Sequence, residues 1–142
     1  MGFQAGDFSG RGPLGQKDQS LPKRFSAAER AYFAWLHELP CCVSGRIDID
    51  IAHTGRLSEG KGIGRKAALN TCLPLSKPLH RYEEANREGF WLNVGVDPLP
   101  NAQRLWDIYQ SGGNLEDADR VIRSMQARAD RHFMKQILRA QR

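Results

Sequence analysis

The chain has 142 residues, with 21 lysines and arginines against 16 aspartates and glutamates, a formal net charge of +5 at pH 7, and a mean hydropathy of −0.56. That length suits one domain; no apolar run nears the ~20 residues that cross a bilayer, and the start lacks the zones of a signal peptide. Three cysteines, an odd number with Cys41 and Cys42 adjacent, argue against a disulfide framework. The chain therefore reads as soluble and cytoplasmic, with reduced thiols.

Residues 1–24 show no helical or strand period and read as a flexible, glycine-rich arm ending in Pro22-Lys23-Arg24. Residues 25–142 form the domain. Ser26 and Glu29 fit a capping box. Ala28, Tyr32, Trp35, Leu36 and Leu39 then mark a helix that Pro40 ends. After the turn Cys41–Gly45, residues 46–54 alternate as a strand, with Ile47, Ile49 and Ile51 expected to face the core and Asp48 and Asp50 the other side. A glycine-rich basic loop follows from Gly55 to Lys66. Leu73-Pro74-Leu75 can pair as a second strand, with Pro74 at an edge. Ser76 is placed to cap a helix over residues 77–87, which Gly89 would end. Residues 90–100 read as irregular, anchored by Trp91 and Val94. Asn101 is a candidate cap for a helix carrying Leu105, Trp106, Ile108 and Tyr109. After Gly112-Gly113, Asn114 caps the longest helix, whose apolar line is Ala118, Val121, Ile122, Met125, Ala129, Phe133 and Ile137.

The charge concentrates at the end. From Arg120 to Arg142, seven cations (Arg120, Arg123, Arg128, Arg131, Lys135, Arg139 and Arg142) face one acid, Asp130. Such a segment favours a polyanionic partner, of which nucleic acid is the common one.

Three features carry chemistry. His53 ends the first strand, and an imidazole titrates near neutrality, which suits a general base. His80 and Glu84 are spaced i, i+4, so they share one helix face and make half of a divalent-cation site. Asp48 and Asp50 are further carboxylates, although strand alternation turns them away from His53. Lys61, Arg65 and Lys66 alternate with glycines in a loop that lets backbone and charge approach a phosphate. Water attack on a phosphodiester needs a base and a cation to neutralise the phosphate and leaving oxygen.

Leu39-Pro40-Cys41, Ala52-His53, Gly62-Ile63-Gly64-Arg65-Lys66, Pro74-Leu75, His80 and Phe90-Trp91 follow one another in unbroken order. This order resembles the HNH, or ββα-metal, nucleases, and more closely a phage and prophage branch that includes a RecA-dependent recombination endonuclease. The resemblance covers roughly Phe25 to Trp91. It implies an α+β, mostly helical fold in which a small hairpin and a helix cradle a divalent metal, Mg²⁺ or Mn²⁺ or else Zn²⁺. It implies His53 as general base, His80 as metal ligand, and Glu84 in place of a second helical histidine. It also implies a DNA endonuclease, with a recombination or other host protein as a further partner; Lys61, Arg65 and Lys66 of the basic loop are then the expected DNA contacts, and the charge of the C-terminal helix, beyond the resemblance, adds Arg128, Arg131 and Lys135.

The departures are specific. Relatives draw a structural zinc site from Cys-x-x-Cys and Cys-x-x-His, but the matching positions here are Cys41, Ser44, Ser76 and Leu79. No structural zinc is expected, and packing by the C-terminal helices would replace it. Leu69, with Asn70 beside it, stands where the branch has a polar residue. The alternative expectation is a catalytically degenerate relative that binds DNA or inhibits a host protein complex.

Overall fold

The computed structural model describes residues 25–55 and 68–141. The expected arm over 1–24 and the expected DNA contacts Lys61, Arg65 and Lys66 lie outside the described residues. Contacts divide the chain into Met1–Tyr32 and Phe33–Arg142.

In the first unit the capping box closes as the residue types dictate. Glu29 N–H donates to Ser26 Oγ at 3.1 Å, and Ser26 N–H donates to Glu29 Oε1 at 2.6 Å. The two bonds satisfy donors that the first helical turn leaves orphaned. They start helix α1 (Ala27–Leu36), which runs across the division at Tyr32.

Within the second unit, the chain leaves α1 through a tight turn that buries Leu36 and Leu39. Strand β1 (Ile49–His53) pairs antiparallel with β2 (Cys72–Ser76), setting Ile49 opposite Ser76 and His53 opposite Cys72. The strand is shorter than the alternation suggests. Ile47 lies outside it and is 88 % exposed, while Ile49 is buried and Ile51 half-buried. A turn held by Ile49 N–H on the Ile47 carbonyl, with Arg46 on Asp48, delays the pairing. β2 is buried throughout, including Pro74, whose carbonyl accepts from Cys42 N–H.

Thr54 prolongs the hairpin, since its N–H and its hydroxyl both donate to the Thr71 carbonyl. Thr71 closes a 3₁₀ turn (Leu69–Thr71), and Asn70 donates from that turn to Gln103 at 2.8 Å. Helix α2 (Lys77–Ala85) begins directly after β2, with Pro in its first turn, and Lys77 N–H donates to the Asp48 carbonyl. The helix is thus laid back across β1 with no connecting loop. Ser76 occupies the capping position, but its hydroxyl makes no capping bond.

The expected irregular stretch is instead helical. α2 stops at Asn86, whose side chain accepts from Gly89 N–H and starts α3 (Arg87–Val94). Gly89 therefore sits inside a first turn rather than after a last one. Gly95, at φ +80°, ends α3 in the left-handed conformation that favours glycine. Helix α4 (Pro98–Gln110) begins at its proline, three residues before the cap expected at Asn101, because a proline fits a first turn that needs no N–H there. Asn101 donates instead to the Asp97 carbonyl.

Asn114 caps α5 (Leu115–Ala140) as expected, accepting from Asp117 N–H at 3.0 Å. Its buried face is Ala118, Ile122, Met125 and Ala129. Phe133, expected on the apolar line, is exposed, as are Met134 and Leu138 beside it. Among the described residues the architecture is α+β, with five helices and a two-stranded hairpin against which α2 packs. None of these helices is long and apolar enough to cross a membrane.

Candidate metal half-site

Because α2 follows β2 without a loop, its first turns lie over β1. His80, one turn into the helix, meets Asp50 of the strand: Nδ1 is 3.2 Å from Asp50 Oδ2. On the other side of the ring, Nε2 is 3.7 Å from Glu84 Oε2. The imidazole is half-buried, while Asp50 keeps partial and Glu84 greater exposure. An imidazole holding its proton on Nδ1 donates it to Asp50 and leaves the Nε2 lone pair facing Glu84.

The Nε2–Glu84 separation exceeds hydrogen-bonding distance. It is close to the spacing of two atoms that share one ion, since ligands at about 2.1 Å from a small divalent cation stand roughly 3–3.6 Å apart. A histidine that ligates a metal through one nitrogen commonly donates from the other to a carboxylate, which fixes ring and tautomer. Asp50, His80 and Glu84 have that order. Two protein ligands with water filling the rest suit Mg²⁺ or Mn²⁺, which retain several waters. They do not make a closed four-ligand zinc site. Among the described residues no group of three or more His, Cys, Asp or Glu side chains converges on a single cation position.

Asp48 is occupied elsewhere. Arg46 grips it through Nε and Nη2 at 3.0 and 3.1 Å, and that hydrogen bond holds the carboxyl below the usual range. His53 is placed differently from His80. Strand alternation sets it on the opposite face of β1 from Asp50, and its ring packs edge-on against Phe33 at 5.8 Å between centroids. The contacts around His80 therefore bring together Asp50 and Glu84, and not His53. Arg128, Arg131 and Lys135 are exposed on α5. The approach of Asp50 to His80 escaped the sequence because it depends on α2 folding back without a loop. The signal that could have found it is Ser76-Lys77-Pro78, which places a helix start immediately behind the strand.

Three of the four positions matched to zinc ligands also meet. The Cys41 thiol is buried and accepts from the backbone N–H groups of Val43 at 3.4 Å and Ser44 at 3.3 Å. Burial pushes this thiol up, but hydrogen bonds from the Ser44 side chain and from the backbone of Ser44, Val43 and Ser76 together outweigh it and leave the group below its ordinary value. Neighbouring Cys42 has no such set, and burial pushes its thiol well above the ordinary value. The turn thus holds one buried sulfur in a cradle of hydrogen bonds.

Compared with known proteins, the chain matches no family model, no curated sequence and no solved structure.

Proposed function

We propose that the chain is a metal-dependent DNA endonuclease of the HNH-like kind, with a ββα core built from β1, β2 and α2. The observation that supports this reading is the Asp50–His80–Glu84 arrangement on a hairpin followed directly by a helix. When bound, a divalent cation would neutralise charge on the scissile phosphate and the leaving oxygen. His80 Nε2 and a Glu84 oxygen are the atoms that would hold it. Asp50 keeps the ring in the plane and tautomer this requires. His53 serves as general base, taking a proton from the attacking water at an imidazole nitrogen. Arg128, Arg131 and Lys135 supply charge for DNA, and Lys61, Arg65 and Lys66 are the further cations of this reading.

One observation favours the second reading, a degenerate HNH-like protein that binds DNA or blocks a host protein complex. Three residues of strand separate Asp50 from His53 by about 10 Å, and alternation turns the two side chains to opposite faces. A base must come within about 3 Å of the proton it removes, directly or through one water. In this second reading the half-site persists without turnover.

Nicking of supercoiled plasmid with Mg²⁺ or Mn²⁺ separates the two. The endonuclease reading expects metal-dependent nicking that is lost in His53→Ala and His80→Ala. DNA binding without nicking in either metal would leave the degenerate reading. Nicking by His53→Ala at the parent rate would remove His53 from the mechanism.

A further inference from the structure

A second feature lies at the other end of the β1–α2 pair. Glu83 faces inward from α2 and is fully buried. Its Oε2 accepts from Arg87 Nε at 2.8 Å and from Trp91 Nε1 at 3.2 Å. Arg87 also donates from Nη1 to the Gly55 carbonyl at 3.2 Å, just beyond the end of β1. A guanidinium has five N–H donors, so these two bonds hold it rigidly and leave three unspent. Arg87 forms part of the wall of an open cavity of about 690 Å³ between α3, the 95–99 turn and α5.

The cavity has a consistent chemistry. Arg128 of α5 reaches it with no ion-pair or side-chain hydrogen-bond partner among the described residues. Trp91, Leu92, Val96 and Leu99 make an apolar wall, and Glu88 and Asp97 add two carboxylates at its rim. Two guanidinium groups beside an apolar wall match a ligand with an anionic edge and a flat, weakly polar body. The two carboxylates suit an exocyclic amine and make the cavity a poor trap for a bare anion. A nucleotide has all three parts.

We propose that this cavity is a nucleotide subsite for the DNA strand: Arg87 and Arg128 take a phosphate, and the apolar wall takes the base. The proposal rests on the nucleic-acid reading above and extends it to a defined place. Asp50 of the half-site and Gly55, whose carbonyl Arg87 holds, lie five residues apart, a span of up to about 17 Å in extended chain. The subsite therefore anchors the strand at a distance and takes no part in bond cleavage. Arg87, pinned by a buried carboxylate, loses little freedom when it binds, which is the advantage of a preorganised donor.

The test is binding in metal-free buffer, where cleavage does not intervene. A fluorescein-labelled single-stranded 12-mer is titrated by anisotropy with the full chain, with Leu99→Trp and with Arg128→Gln, each checked by circular dichroism. Leu99→Trp fills the cavity without changing charge, and is expected to weaken binding at least about fivefold. Arg128→Gln, a surface change that should fold normally, is expected to weaken binding and to lower the salt slope by about one. Parent-like affinity in a folded Leu99→Trp, or an unchanged salt slope in Arg128→Gln, would overturn the subsite while leaving DNA binding in place. No binding of the 12-mer by the parent would overturn the subsite together with the nucleic-acid reading beneath it.

Discussion

The most constrained side chains are those of His80 and Glu83, neighbours on one helix with opposite tasks. Glu83 is fully buried and pairs with Arg87, and its Oε1 has no hydrogen-bond partner among the described residues. Removing one partner of such a pair strands the other charge, so Arg87→Ala should cost about 3–5 kcal/mol in urea unfolding. Glu88→Ala, one position on and exposed, should cost less than about 0.5 kcal/mol. Equal effects would mean that the Glu83–Arg87 pair contributes nothing. At His80 the expected effect is on function. Asp50→Ala should weaken Mn²⁺ binding about 10- to 100-fold with little change in unfolding midpoint. A thermal scan alongside a Mn²⁺ titration distinguishes this from simple unfolding.

The cysteines give a pH signature at the same scale. Burial raises the Cys42 thiol well above its ordinary value. As pH climbs past the unfolded thiol's pKa of about 8.5, the unfolded chain releases its proton first and stability falls. Cys41, held lower by its hydrogen bonds, acts in the opposite sense. Between pH 7 and 10, Cys42→Ala should therefore show a shallower loss of stability than the parent. A steeper loss would contradict the burial argument.

At the scale of elements, local chemistry announced itself in the sequence where caps are made by side chains. Ser26 with Glu29, and Asn114 with Asp117, were legible because their bonds close within three residues. Helix α3 was not, because a glycine and a short apolar pair gave it no clear period, and the asparagine that starts it also ends α2. Ile47 misled for a related reason: alternation fixes side-chain direction only where strands pair, and its partner strand ends at Ser76, opposite Ile49. The i, i+4 relation of His80 and Glu84 was visible in the sequence, whereas the approach of Asp50 depended on how tightly α2 returns. Gly95 offers a test at this scale. Its φ is +80°, and a Cβ there would lie 2.3 Å from His132 on α5. Gly112 also has positive φ, but a Cβ would meet nothing within 4 Å. Gly95→Ala should be clearly more destabilising than Gly112→Ala, by more than about 1 kcal/mol. Similar losses would mean that the close approach of α3's end to α5 is not structural.

For the whole molecule, the proposed polyanionic partner would meet Arg128, Arg131 and Lys135, which are exposed off the buried face of α5 formed by Ala118, Ile122, Met125 and Ala129. Arg120 and Arg123 pair instead with Asp117 and Asp119. Short-range packing does not require Arg128, Arg131 and Lys135, so their neutralisation should change binding and its salt dependence more than stability. The same helix continues past Ala129 with Phe133, Met134 and Leu138 exposed, and nothing in the fold itself accounts for that apolar end. The hydrophobic core is built from Ile49 and Ala52 of β1, from β2 and from the helices packed on the hairpin.

His80 and Glu84, steadied by Asp50, are proposed to form half of a divalent-cation site. Electron paramagnetic resonance of Mn²⁺ titrated into the full chain tests it most directly, because free Mn²⁺ gives a signal that is lost on binding. One bound ion is expected for the parent, with binding abolished in His80→Ala and strongly reduced in Glu84→Gln. If the parent leaves all added Mn²⁺ free, or if His80→Ala takes it up as the parent does, the half-site does not exist.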